Sequence, residues 1–300
     1  MRKEGMTLIE ILVALGIASL ILGVLLSTVL GNRRIYNLDQ SRTAVNQNLR
    51  TALDIVVADL RQAGERLPNN LSAVEIRADG NELVLRRNLL DTVLSVCDRN
   101  GISGNQDNIP VADKNPPKNA QTAYLEACGF SDRNNNGYDD RIDQWRAYRC
   151  GSDGAPDCQT GSLRETVRAY IYDPATGNGE WFDYDQEDAS GVKIHKGNNG
   201  RWQNSYGQNS RLYLLEERRY YLEGTLLKLA ENGQSGRGLV ADVVRFQAQA
   251  RAGGNWYTAF PAPGLTWTNL EAVEVRVRAR IGRIEREMVT QTVPRNVLSQ

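Results

Sequence analysis

Residues 1–31 read MRKEGMTLIEILVALGIASLILGVLLSTVLG. A polar leader of five residues ends at Gly5, and an apolar run from Met6 to Gly31 follows, interrupted by a single ionisable residue, Glu10. About 20 apolar residues at about 1.5 Å each cross the hydrocarbon layer of a bilayer, so this run is long enough to span one as a helix. A secretory signal differs, having an apolar core of about 7–15 residues followed by a small-residue cleavage site. Glu10 is the anomaly, because a carboxylate inside a span costs about 2.5–3.5 kcal/mol on insertion scales and needs a partner. Cleavage between Gly5 and Met6 would supply one: the new α-amine of Met6 is a cation one helical turn from Glu10, within reach of Glu10 in a neighbouring subunit as well.

Beyond Asn32 polarity rises while the helical period continues. Ile35, Leu38, Val45, Leu49, Leu53, Val56, Leu60 and Ala63 recur at spacings of three, four and seven, and Arg34, Asp39, Arg42, Arg50, Asp54, Asp59 and Arg61 occupy the other faces. Gly64 and Pro68 mark the stop. One helix is therefore expected over residues 6 to about 66, roughly 90 Å long. Its first half, 6–31, is apolar all round, and its second, 32–66, is amphipathic. The second half lays its stripe on a head formed by residues 67–300. The first half cannot stay in water, so it remains in lipid or is buried among copies of itself. Head-to-tail burial that does not close gives a filament.

The head opens with SAVEIR and NELVLRR, two alternating runs joined across Asp79-Gly80 and expected to form a hairpin. Residues 91 to about 165 then turn poor in apolar residues, rich in Asn, Asp and Gly, and hold all four cysteines. A loop this long needs something to order it. Cys97, Cys128, Cys150 and Cys158 allow three pairings, of which Cys97–Cys128 with Cys150–Cys158 is favoured, the second pair closing a short loop through Gly151, Gly154 and Pro156. An even count in an exported chain points to disulfides before zinc or catalysis.

The second ordering device is DRNNNGYDDRID, residues 132–143. It fits the calcium-loop template at Asp132, Asn134, Asn136, the carbonyl of Tyr138, Asp140 and Asp143, with Gly137 at the bend. Ca²⁺ takes six to eight oxygens from a tightly curled loop, and this spacing turns alternate side chains inward. Position twelve is Asp where Glu is usual, and Asp139 stands at a place that is usually apolar. No pair of amphipathic helices is evident around it, so the loop is similar to those of dockerins and thrombospondins more than to a sensor hand.

Strand patterns return at TVRAYIYD and EWFDYD, separated by a turn from Pro174 to Gly179. Residues 191–209 read as loop. ERRYYLEGTLLKLA reads as a hairpin about Glu223-Gly224, GLVADVVRFQAQAR as one long strand, and LEAVEVRVRARIG with EREMVTQTVPRN as a closing pair. Apolar residues alternate with Arg and Gln, the mark of antiparallel strands with one wet face. The fold class is thus α+β: a long N-terminal helix on an antiparallel β head with a disulfide-containing insertion at about 91–165.

Lys plus Arg and Asp plus Glu number 36 each. That balance lacks the basic footprint of a general nucleic-acid binder. No G-x-S-x-G, H-E-x-x-H or P-loop pattern occurs. His195, between lysines, reads as an exposed loop residue, the tryptophans as core or rim, and Arg218-Arg219 as the solvated start of a strand. Nothing here marks an enzyme.

With these residues in view, GMTLIEILVALGIASLILG closely resembles the class III signal of type IV prepilins and pseudopilins. The resemblance implies cleavage after Gly5 on the cytoplasmic side by a prepilin peptidase, N-methylation of Met6, and a role for Glu10 in filament assembly. Met6 replaces the usual first mature phenylalanine, and Ser27 stands where many major pilins carry a helix-breaking proline, although Gly16, Gly23 and Gly31 can soften the helix. In the last third, YYLEGTLLKL, FQAQAR and the terminal TVPRN resemble minor pilins of the PilW type and J-type pseudopilins; residues 91–210 carry no resemblance. The expectation is a minor pilin of a priming or tip complex, supporting pilus assembly and with it adhesion, twitching or DNA uptake. A type II secretion pseudopilin or a tip receptor for DNA or a surface ligand is the alternative. The implied partners are other pilins through the helix, the prepilin peptidase and the inner-membrane assembly platform. The chain would sit as a single-pass inner-membrane protein before assembly and on the pilus or cell surface after it.

Overall fold

The computed structural model describes residues 8–151, 166–197 and 200–297, with Ala14 described in its backbone only. α1 (Leu8–Gln62) is a single helix of 55 residues, about 80 Å long at 1.5 Å per residue. It ends with its apolar stripe, a few residues short of the expected bound near residue 66. Gly64 (φ 83°) and Arg66 (φ 56°) turn the chain out of the helix. Gly64 donates to the Arg86 carbonyl at 2.9 Å, and Asn296 donates to the Ala63 carbonyl at 3.1 Å, so a residue from near the far end of the chain caps the helix.

The chain continues through β1 (Val74–Arg77), β2 (Glu82–Asn88), β3 (Leu94–Ser95), β4 (Asn108–Pro110), α2 (Thr122–Cys128) and α3 (Asp140–Cys150). After α3 come β5 (Val167–Tyr172), β6 (Gly179–Glu187), β7 (Lys193–Lys196), β8 (Arg211–Tyr213), β9 (Leu215–Glu223), β10 (Leu226–Glu231) and β11 (Arg237–Val240). β12 (Val243–Ala252), β13 (Asn255–Tyr257), β14 (Leu270–Ile281) and β15 (Ile284–Thr292) close it. The described strands form three antiparallel sheets, ordered β1-β2-β9-β10-β11, β13-β12-β14-β15 and β3-β8-β5-β6-β7-β4.

The first two sheets and the second half of α1 share one core. Val45, Leu49, Val56 and Leu60 of the helix are fully buried. They pack with Leu83, Tyr220 and Leu227 of the first sheet and Phe246, Val273, Val275 and Val277 of the second. β14 shows the alternation that puts them there: its valines face the helix while Arg276, Arg278 and Arg280 face outward. The expected hairpins form at β1–β2, where Val74 pairs with Leu85, at β9–β10, where Glu223 pairs with Leu226, and at β14–β15, where Ile281 pairs with Ile284.

GLVADVVRFQAQAR is not one strand. The chain breaks at Asp242, whose φ of 63° is a left-handed conformation that a short polar side chain tolerates. The halves join different sheets, β11 beside β10 and β12 beside β14. The crossing is fastened on both sides, because the Ala241 carbonyl accepts from Asn48 Nδ2 of α1 at 3.2 Å and the Asp242 carbonyl from the Arg280 amide at 2.8 Å.

The third sheet carries a second core that the polar composition of residues 91–165 conceals. Trp145 of α3 is fully buried against Tyr184, ring centroids 5.6 Å apart, and Trp202 meets Phe182 and Tyr206 edge-on. Each buried indole has its N–H satisfied, Trp145 by the Thr92 carbonyl at 2.9 Å and Trp202 by the Gln106 carbonyl at 2.8 Å. The stretch 191–209 read as loop therefore supplies β7 and two core aromatics. Cys97 and Cys128 form a disulfide that ties the segment after β3 to the end of α2. Cys150 is also disulfide-bonded, and Cys158 lies outside the described residues.

Candidate functional site

α1 divides at the head. From Leu8 to Leu30 its large apolar side chains are exposed, 77% at Leu8 and 73% at Leu20, and Ile35, Tyr36 and Leu38 continue the exposed surface. From Val45 one face of the same helix is buried. The exposed segment is long and apolar enough to cross a membrane. Its hydroxyls are internally satisfied: Ser19 donates to the Gly16 carbonyl at 2.8 Å, Ser27 to Val24 at 2.8 Å and Thr28 to Val24 at 2.9 Å. Polar side chains thus add no unpaired donor to this surface, as an apolar environment requires. The helix runs unbroken through Ser27. Glu10 stands exposed in its first turn; Gly5 and Met6 lie outside the described residues.

The Asn/Asp loop connects α2 to α3, so helices do flank it, one of seven residues and one of eleven. Asp132 accepts from the amides of Asn136 (3.1 Å) and Gly137 (2.9 Å), and Asn134 Oδ1 accepts from the Asn136 amide at 3.1 Å. Asp143, in the first turn of α3, accepts from the side-chain amides of both Asn134 and Asn136 at 2.8 Å. Four of the six expected ligands are thereby gathered. Asp140 turns elsewhere, accepting from Ser131 Oγ at 2.7 Å and from the Arg133 amide at 3.1 Å, and those bonds, the serine's first, hold its carboxyl below the ordinary range. The Tyr138 amide donates to Asn136 Oδ1 at 2.9 Å. Asp139, expected at an apolar position, is fully buried, caps α3 and pairs with Arg141 at 2.8 Å. Among the described residues no three His, Cys, Asp or Glu side chains group closely enough to hold a metal by themselves.

Two sequence readings change on folding. His195 lies on β7, and its Nδ1 is 2.7 Å from Asp185. Arg218 is no solvated strand end: it donates to Asp59 of α1 at 2.6 Å, and Tyr220 donates to the same carboxylate. Beside it Arg86, nearly inaccessible, donates to Glu217 at 2.6 Å, to Glu75 and to the Ser72 carbonyl. No pattern in the sequence links Asp59 to Arg218 or Arg86 to Glu217, because the first pair is made by packing α1 on β9 and the second by pairing β2 with β9, each across more than a hundred residues.

Compared with known proteins, the chain matches no family model, no curated protein and no solved structure.

Proposed function

We propose that this chain is a minor subunit of a type IV pilus, a structural protein that joins the priming or tip complex through α1 and supports pilus assembly. The observation that carries the reading is the division of one continuous helix into an exposed apolar half, Leu8–Leu30, and a half that buries one face in the head from Val45 onward. The exposed half finds a compatible solvent in lipid before assembly and among sister helices after it. Gly23, Ser27 and Gly31 stand four residues apart, so one strip of the helix is small enough for close approach of another backbone. Prepilin peptidase cuts between Gly5 and Met6, and the methylated amine of Met6 meets Glu10 of a neighbour. The head lies outside the cytoplasm, presented for adhesion, twitching or DNA uptake; the inner-membrane assembly platform is the further partner.

Calcium belongs to this reading as the ion that orders the insertion, held by Asp132, Asn134, Asn136, the Tyr138 carbonyl, Asp140 and Asp143. The donor set suits it. Four side chains already converge, and aiming the two asparagine oxygens at the ion would require their amides to turn, giving up the bonds they accept from the Asn136 and Tyr138 amides. Asp140 would have to release Ser131.

Intact-mass measurement of the protein from native membranes tests the assignment: the first five residues should be absent and Met6 should carry one methyl group. Retention of the leader in a cell with active peptidase would overturn it. Deletion scored for piliation and for secretion separates a pilus subunit from a secretion pseudopilin. Chelation should lower the melting temperature and the protease resistance of the head; no change in either removes the calcium assignment.

A further inference from the structure

Between β1 and the β5–β6 turn the surface folds into a cleft of about 400 Å³, inside the range of about 300–1,000 Å³ usual for small-molecule sites. Its charges are cancelled within the protein. Arg86 lies between Glu75 and Glu217, Arg77 between Glu75 and Glu82, and Arg219 is 3.9 Å from Glu82. Three guanidiniums in and just behind the lining thus pair with three carboxylates, so these ion pairs leave no unmatched charge among them to draw in a phosphate or an ammonium ion.

What the cleft offers is hydrogen-bonding capacity beside an aromatic ring. Asn70 and Asn178 come from separate loops, and their side-chain amides make no hydrogen bond with a described residue. Tyr170 is half-buried, braced edge-on against Trp181 at a centroid distance of 5.1 Å. The turn comes down onto its hydroxyl at Gly179, where a Cβ would overlap the phenol. Leu71 is the only aliphatic side chain of the described lining, and it is 5% exposed. A peptide anchored by apolar side chains has no pocket here.

From this geometry we infer that the cleft binds a neutral saccharide. Planar amides and guanidiniums bridge adjacent hydroxyl groups of a sugar, and the C–H face of a pyranose lies against a tyrosine ring. Charge neutrality and the lack of apolar side chains follow from the same requirement. The site goes beyond the pilus assignment, and its test does not require filament assembly.

Full-length protein in lipid nanodiscs, free of sugar-headed detergent, would be examined by saturation-transfer-difference NMR against galactose, N-acetylglucosamine and lactose, with inorganic phosphate as the anionic probe. At least one sugar should receive saturation at millimolar concentration, and phosphate should not compete. Asn70→Ala and Asn178→Ala should each weaken that binding roughly five- to tenfold. Both asparagines are exposed, so an unchanged melting temperature would show that the fold is intact. Absence of signal from all three sugars, binding that survives both substitutions, or displacement by phosphate would each overturn the inference.

Discussion

Arg218 of β9 reaches Asp59 of α1 across 2.6 Å, a contact between residues 159 positions apart. Tyr220, two residues along the same strand, donates to the other oxygen of that carboxylate. One side chain in the last two turns of α1 therefore anchors the helix to the first sheet, next to the fully buried Leu60 and Val56. Burial opposes the charge on Arg218, but its bonds to Asp59 more than offset this and hold its pKa above the ordinary arginine value. Loss of Asp59 would leave the buried phenol without its acceptor and the half-buried Arg218 with Glu216 alone.

Asp59→Ala should accordingly destabilise the head by about 2–4 kcal/mol, since removing one member of a buried pair costs more than the pair itself contributes. Arg42→Ala removes an exposed i,i+3 pair with Asp39 and should change stability by no more than about 0.5 kcal/mol. Thermal melts of the full-length protein in nanodiscs compare the two.

Gly64 combines a positive φ with close packing: a Cβ there would overlap the indole of Trp267, which is fully buried. Gly224, at φ 60°, has open space around it. Gly64→Ala should cost about 3 kcal/mol or more through strain and displacement of the ring, Gly224→Ala about 1 kcal/mol through strain alone. Equal effects in denaturant titration would contradict the packing at the end of α1.

Acid should weaken the head in a defined window. Burial pushes the Glu75 carboxyl upward, but Arg86 and Arg77 together pull it further down, leaving it below 4.5. Glu274 behaves alike, burial being outweighed by Gln291, Gln249 and Arg276. A carboxyl with a depressed pKa in the fold contributes stability that is fully present above its unfolded value and is lost as pH falls through the folded one. The melting temperature should be level above about pH 5 and fall below about pH 4.5. Glu75→Gln should be less stable at neutral pH, because Arg86 loses an ion pair, yet show a shallower acid slope.

The Cys97–Cys128 bridge joins residues at a sequence separation of 31. By loop-closure entropy its removal in a Cys97→Ser, Cys128→Ser variant should cost about 3–4 kcal/mol. The effect should fall first on the insertion: protease cleavage should appear within residues 98–127 before it reaches β14 or β15, as mapped by mass spectrometry.

α1 and the hairpins were legible because their signals are local. A period of 3.6 runs through Val45, Leu49, Val56 and Leu60, a period of 2 through Val273, Val275 and Val277, and the turns carry Asp79-Gly80 and Gly224. The curl of residues 132–143 is local for the same reason, since Asp132, Asn134, Asn136 and Asp143 lie within twelve consecutive residues and bond one another without help from distant strands.

By itself the amino-acid order determined that a long helix would present a bare apolar half beside an antiparallel head, since hydrophobic period and turn chemistry act between near neighbours. Tertiary structure alone decided that Asp242 splits one apparent strand between two sheets, that Trp145 of the polar stretch joins Tyr184 and Trp202 in a second core, and that Asp59 finds its partner between helix and sheet and Arg86 its partner on the neighbouring strand. Those outcomes depend on which distant segments share a core or a strand register, and burial is settled only when the pieces meet.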